Sequence, residues 1–225
     1  MQLTKTEKIF TLIFLTITLL ELFSESIFGL FSVRFSPKPL ILLSLIIFFI
    51  KQSKHLDLKM RVYMLLALLF SFNGDVLLMF VETSPSYFMF GLVAFLIAHL
   101  MYIRVFLNKR NKTKSILVIS AILLIYALGM FYFLKDGLND MLIPVALYMI
   151  IILLMTVSAW LRKGLVPKLS HTLVFIGAIL FVISDSALAL NKFYKPLVQS
   201  HIIIMSTYAL AQYFIVMGIL RQKTL

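Results

Sequence analysis

The chain has 225 residues, 62% of them hydrophobic, and a mean hydropathy of +1.04. Soluble domains carry roughly 45–50% apolar residues, so this composition excludes an ordinary water-soluble fold. The net charge of +12 does not point to nucleic acid, because the lysines and arginines sit in short polar breaks between apolar runs, where they set orientation in a membrane. No cysteine is present, which excludes disulfides and thiolate chemistry.

The apolar runs recur from end to end, and each can cross a bilayer core of roughly 30 Å as a helix. The expected fold is all-α: one polytopic membrane domain over residues 1–225, a bundle of eight transmembrane helices. The spans fall at roughly 9–29, 37–51, 61–81, 86–106, 115–134, 141–161, 171–191 and 200–220. The first, Lys5 to Lys8 followed by apolar sequence from Ile9, resembles a signal sequence. It lacks a small-x-small cleavage site, and Glu21, Ser24, Glu25 and Ser26 follow, so a retained helix is expected. The second, Pro39 to Ile50, is short and suits a tilted, buried or partly re-entrant helix. The third carries Asp75 in MLLALLFSFNGDVLLMF, and the fourth carries His99 and Tyr102 in FLIAHLMYIRVF. The fifth and sixth hold no recognisable motif. The seventh carries Asp185 in LVFIGAILFVISDSALAL, and the eighth carries Tyr208 and Gln212.

Loop charge sets the orientation. With the N-terminus inside, the inner segments hold Lys5, Lys8, Lys51, Lys54, Lys59, Arg61, Arg104, Lys109, Arg110, Lys112, Lys114, Arg162, Lys163, Lys168, Arg221 and Lys223. The outer segments hold only Arg34, Lys38, Lys135, Lys192 and Lys195. This asymmetry places both termini in the cytoplasm and favours an even number of spans. A multi-pass protein of a bacterial cytoplasmic membrane is the expected setting.

An ionised carboxylate in hydrocarbon costs roughly 2.5–3.5 kcal/mol on insertion scales, so two in separate apolar helices are the best guide to function. Asp75 and Asp185 are each preceded by a small residue, Gly74 or Ser184, that leaves room for another group. Helices three and seven both run outward, which puts both aspartates about six residues, or roughly 9 Å, below the outer surface. Glu21 falls at similar depth, and Lys38 and Lys192 lie at the outer mouth. There is a faint internal echo: Tyr102 follows Asp75, and Gln212 follows Asp185, at the same interval of 27 residues. A parallel repeat would produce that spacing.

Three readings of the aspartates stand side by side. They are structural groups held by neighbouring Tyr, Gln or Lys; they form a proton or ion path; or they are an acid–base pair. Carboxylates that share a low-dielectric pocket repel, which favours one protonated and one ionised, the division used in glycoside hydrolysis. His99 is either a packing residue or one that orients an aspartate or substrate. Lys38 and Lys192 either snorkel to the interface or recognise a lipid phosphate. Tyr102, Tyr208 and Gln212 suit hydrogen bonding within the bundle, while Tyr63, Tyr87 and Trp160 suit an aromatic belt. The four histidines, His55, His99, His171 and His201, have no ligand spacing along a helix, so no metal is expected. No cofactor is implied, since G-x-S-x-G, Walker and dinucleotide motifs are missing.

These residues carry a resemblance. KPL at 38–40, NGDVLL at 73–78, AHLMY at 98–102, SDSALALNKF at 184–193 and YALAQ at 208–212 occur in the order typical of the lysoplasmalogenase (YhhN-like) family. The resemblance implies an eight-helix enzyme that cleaves the vinyl ether bond of lysoplasmalogen to a fatty aldehyde and glycerophospho-ethanolamine or -choline. It implies Asp75 and Asp185 as the catalytic pair. Carried over by motif, His99, Tyr102, Lys192, Tyr208 and Gln212 would line the same pocket, and Lys38, Asn73, Ser184 and, by its depth, Glu21 are expected to support the site or bind substrate. The substrate, a lysophospholipid, would enter from the bilayer. The alternatives are a small transporter or lipid-binding protein that uses the carboxylates for protons or ions, or a hydrolase of another lysolipid. Oligomeric state is not legible.

Overall fold

A computed structural model describes residues 4–23 and 37–222. Among them the regular structure is helical, apart from an isolated bridge between Lys163 and Val166. The helices are α1 (Lys5–Leu22), α2 (Lys38–Gln52), α3 (Leu58–Leu78), α4 (Ser86–Leu107), α5 (Leu117–Leu138), α6 (Leu142–Trp160), α7 (Lys168–Phe193) and α8 (Ser200–Leu220). Arg34, Lys223 and the expected continuation of the first span through Ser24, Glu25 and Ser26 lie outside the described residues.

Helix ends follow their caps. Helix α1 starts four residues earlier than the apolar run because Thr4 and Glu7 form a capping box, each side chain bonding the other's backbone N–H. Helix α3 starts at Leu58 because the Asp57 carboxylate accepts from Met60 N at 2.9 Å. It also ends earlier than expected, at Leu78, and turns follow. Asp75 is therefore three positions from its helix end and Asp185 eight, in place of the equal offsets expected from sequence.

Five segments are long and apolar enough to cross a membrane: Leu58–Leu78, Ser86–Leu107, Leu117–Trp160, Lys168–Phe193 and Ser200–Leu220. The third contains α5 and α6. Asn139, at φ 43°, leaves the right-handed region and ends α5. Trp160 Nε1 then donates to Ser115 O at 3.4 Å and Asn111 N to Leu161 O at 2.7 Å, so the far end of α6 returns to the start of α5. This segment is a hairpin of two helices. Helix α2, with 15 residues, is shorter than the about 20 a full span needs, and α1 carries Lys5, Glu7, Lys8 and Glu21.

The core is built around α7 and α8, whose backbones are bridged by serine hydroxyls. Ser170 donates to Gly218 O at 2.6 Å and Ser184 to Ile204 O at 3.0 Å, the kind of hydrogen bond that joins helices where water is scarce. Helix α1 docks on α8 through Thr11–Tyr213 (2.7 Å) and Arg221–Glu7 (3.0 Å). Arg162, fully buried, donates to Ser170 Oγ and Gln222 Oε1 and lies over the Phe106 ring. Large apolar side chains such as Leu12, Ile125 and Ile143 cover the outside, a surface that suits lipid rather than water.

Candidate functional site

Asp75 on α3 is 1% exposed. Its Oδ1 is 3.5 Å from Lys38 Nζ at the start of α2, and its Oδ2 accepts from the Tyr208 hydroxyl at 2.7 Å. Behind Tyr208 a chain of polar side chains continues. Gln212 Nε2 lies 3.5 Å from the Tyr208 oxygen, and the Tyr102 hydroxyl donates to Gln212 Oε1 at 2.5 Å. One helical turn separates Tyr208 from Gln212, so both project from one face of α8 towards α3 and α4. The small residue before Asp75 is used by a neighbour. A Cβ on Gly74 would sit 2.6 Å from the Phe95 ring, and that ring meets Tyr208 edge-on. Gly74 thus lets Phe95 seat the tyrosine that bonds Asp75.

Asp185 on α7 has a different set of partners. Its Oδ2 accepts a short hydrogen bond from the Tyr148 hydroxyl of α6 and is 3.6 Å from His99 Nε2 on α4. Tyr148 and His99 also approach each other, at 3.4 Å between oxygen and nitrogen. His99 is fully buried and its ring meets Phe181 edge-on. The Asp185 side chain is 17% exposed against 2% for Asp75, so it is the more open of the two.

Both aspartates line one narrow cavity of about 70 Å³, together with Lys38, Tyr148, Ser184 and Tyr208. The rest of its wall is apolar, including Leu92, Phe95, Leu188 and Ile204. The volume suffices for a few water molecules. Two carboxylates, an ammonium and two phenols facing a mostly apolar space can move a proton, stabilise a developing cation and activate water.

The other expected residues are distributed around this core. Tyr102 and Gln212 are bonded to it through Tyr208, and Ser184 lines it. Lys192 is exposed, with its ammonium 5.5 Å from the ring of Phe88, which lines the cavity. Lys38 carries an ion pair to Asp75 that the sequence did not announce. Glu21 is buried on α1, with His201 Nε2 3.9 Å from its carboxylate and 3.2 Å from its carbonyl oxygen. Asn73 is not brought to the cavity: it is exposed and lines a separate groove with Phe70 and Phe90. Two positions along a helix is about 200° of rotation, so Asn73 and Asp75 face opposite ways. Among the described residues no three His, Cys, Asp or Glu side chains gather as a metal-ligand set.

The sequence model of the YhhN family matches residues 33–219, which covers the aspartates, both lysines and the polar chain on α8. The chain belongs to the YhhN family. It is similar to human lysoplasmalogenase TMEM86B, 35% identical over 157 residues that make up 69% of this chain and 62% of the relative. It is also similar to human lysoplasmalogenase TMEM86A, 32% identical over 69% of this chain and 64% of the relative, and to pig lysoplasmalogenase TMEM86B, 31% identical over 68% and 61%. The matched stretch therefore spans less than two thirds of the length of these curated relatives. No solved structure matches this YhhN-family chain.

Tyr148 is the residue of this YhhN-family site that sequence reasoning missed. It sits in LYMIIILL on α6, a run with no polar neighbour to mark it. The one signal was that a tyrosine deep in an apolar span needs a partner for its hydroxyl. His201, paired with Glu21, was missed as well.

Proposed function

We propose that the protein is a membrane-embedded lipid hydrolase that opens the vinyl ether bond of lysoplasmalogen, releasing a fatty aldehyde and a glycerophospho-ethanolamine or -choline. The observation that carries this reading is the shared cavity of Asp75 and Asp185, in a family whose curated relatives bear the name lysoplasmalogenase. Eight spans with both termini in the cytoplasm, in a bacterial cytoplasmic membrane, are part of the proposal. They would set the cavity towards the outer leaflet.

Hydrolysis of a vinyl ether starts with a proton added to its β-carbon, which leaves an oxocarbenium ion at the α-carbon. Asp185, the more open carboxyl, bonded to Tyr148 and flanked by His99, is the proton donor. Asp75, with the Lys38 ammonium as counter-ion and the Tyr208 hydroxyl as donor, is the carboxylate that stabilises the cation and takes a proton from the attacking water. Water adds to the α-carbon, and the hemiacetal collapses to aldehyde and the glycerol hydroxyl of the headgroup fragment. One water is consumed and no net proton. With Lys38 engaged by Asp75, the exposed Lys192 is the better placed cation for the substrate phosphate.

Purified protein should release aldehyde from lysoplasmenyl-ethanolamine. Asp75→Asn and Asp185→Asn should each abolish release while the protein stays folded by thermal melting. Full activity in either variant would sink the acid–base assignment. Ion or solute flux in reconstituted vesicles, with no lipid turned over, would favour a transporter in its place. A panel of other lysolipids, followed by mass detection, tests the breadth of the substrate.

A further inference from the structure

Asp185 faces two chambers. The first is the cavity it shares with Asp75. The second, of about 50 Å³, lies on the other side of a wall made by Val145, Tyr148, Asp185 and Ala189, residues that line both spaces. Its remaining lining is almost wholly apolar: Met130 and Leu134 from α5, Met149, Ile152 and Leu153 from α6, and Val182 from α7. The only polar side chains besides Tyr148 and Asp185 are Tyr126 and Ser186, and they are bonded to each other.

The helix that closes this chamber is held at its ends. At one end α5 packs tightly: Leu134 and Leu138 are buried, and a Cβ on Gly137 would lie 1.8 Å from Phe193 O, so the α5 and α7 backbones touch there. At the other end Trp160 and Leu161 bond to Ser115 and Asn111. At mid-length Tyr126 ties α5 to Ser186 of α7, and the side of the helix turned away from the bundle is bare. Among the described residues no atom comes within 4 Å of a Cβ built on Gly129, and Ile122, Ile125 and Leu128 are exposed. A narrow, largely apolar slot beside a lipid-facing helix fits the near part of a single slender hydrocarbon chain arriving from the bilayer. The unbranched methionines Met130 and Met149 can repack around such a chain.

We infer that the chamber between α5, α6 and α7 is the binding slot for the lipid's single alkenyl chain. The chain passes the Asp185–Tyr148 wall, and the headgroup end occupies the chamber with Lys38 and Asp75. The inference rests on the lipid-hydrolase reading above. It deepens that reading by placing the vinyl ether at the wall, beside the proton donor, and by making the slot the element that selects one chain of limited girth.

The test has two arms. In the first, Met149→Trp and Met130→Phe narrow the slot and Met149→Ala widens it. The ratio of kcat/KM for long-chain over short-chain lysoplasmenyl-ethanolamine is measured, with thermal melting as the folding control. Narrowing should lower the ratio by about tenfold, because each buried methylene contributes substantially to binding, and widening should raise it. An unchanged ratio in folded variants overturns the slot. In the second arm, a lysophosphatidylethanolamine with a diazirine near the tail end is photolysed with the unmodified protein. Labelling of Met130, Met149 or Leu153 supports the slot. Labelling confined to Leu92 or Leu188 of the first chamber, or to the lipid-facing residues Ile125 and Ile143, overturns it. The labelling arm needs no turnover, so a protein that labels in the slot but releases no aldehyde rejects the hydrolase reading and keeps the binding site.

Discussion

The Tyr102 hydroxyl on α4 donates to the Gln212 amide oxygen on α8 across 2.5 Å, at a site buried from solvent. These are the two residues that follow Asp75 and Asp185 at equal intervals, and they meet each other rather than the aspartates they follow. Gln212 is fixed by that bond and in turn places its amide beside the Tyr208 hydroxyl, which bonds Asp75. Gln212→Leu should take from the buried Tyr102 hydroxyl the amide oxygen it bonds, at a cost of about 1–3 kcal/mol. Thermal melting in detergent reads the loss, and Tyr102→Phe added to Gln212→Leu should restore most of it. If the double variant is no more stable than Gln212→Leu alone, the bond is not what holds these helices together. Tyr208→Phe, which removes the donor to Asp75 itself, should lower kcat by about 10–100-fold.

Lys38 and Asp75 offer a direct test of coupling. The ammonium is 3.5 Å from the carboxylate, and the two side chains are 17% and 2% exposed. Removing one member of a fully buried pair costs about 3–5 kcal/mol. Because Lys38 keeps some contact with its surroundings, Lys38→Met should cost about 1–3 kcal/mol after that discount. Lys38→Met combined with Asp75→Asn should recover more than half of the loss, since the orphaned charge is gone. Additive losses in the double-mutant cycle would show that the pair is not coupled.

Gly74 links packing to the site. Its hydrogen atom is what permits the Phe95 ring to lie where a Cβ would be 2.6 Å away, and Phe95 braces Tyr208. Gly74→Ala should push the ring aside at a cost of about 1–3 kcal/mol, the range for overpacking, and should lower kcat through the displaced Tyr208. Phe95→Leu in the same chain should recover stability more than activity, because it relieves the clash without restoring the brace. Melting curves and initial rates on the single and double variants separate the two effects.

The legible part of this protein was what lipid makes expensive. Asp75 and Asp185 stood out because a carboxylate in an apolar run demands a reason, and helix positions followed from runs of apolar residues between basic breaks. Direction around a helix was harder to read. Asn73 belongs to the same NGDVLL stretch as Asp75, yet two residues of a helix turn it to the opposite side. Lys192, seven residues after Asp185, returns to nearly the same face two turns on and lies over the ring of Phe88, which lines the cavity. Pairings between distant helices were not legible at all. Lys38 looked like a cation at a membrane mouth because nothing in KPL reveals that its ammonium meets α3. Nothing around Tyr148 marks it, because its partners, His99 and Asp185, lie 49 and 37 residues away.

Tyr148 therefore yields the most informative prediction about Asp185. Its hydroxyl donates to Asp185 Oδ2 and lies 3.4 Å from His99 Nε2, so one phenol positions both side chains. Tyr148→Phe keeps the ring that packs in the core and removes only the oxygen. If the phenol orients the proton donor, kcat should fall by about 10–100-fold with little change in KM, the signature of a group that acts in the transition state. His99→Gln, which retains a polar atom near the carboxyl, should cost less than His99→Leu, which leaves Asp185 facing hydrocarbon. Asp185→Glu should keep measurable turnover where Asp185→Asn keeps none, because only the former retains a transferable proton. Equal turnover by Tyr148→Phe and the unmodified protein would remove Tyr148 from the mechanism and leave it a packing residue between α4, α6 and α7.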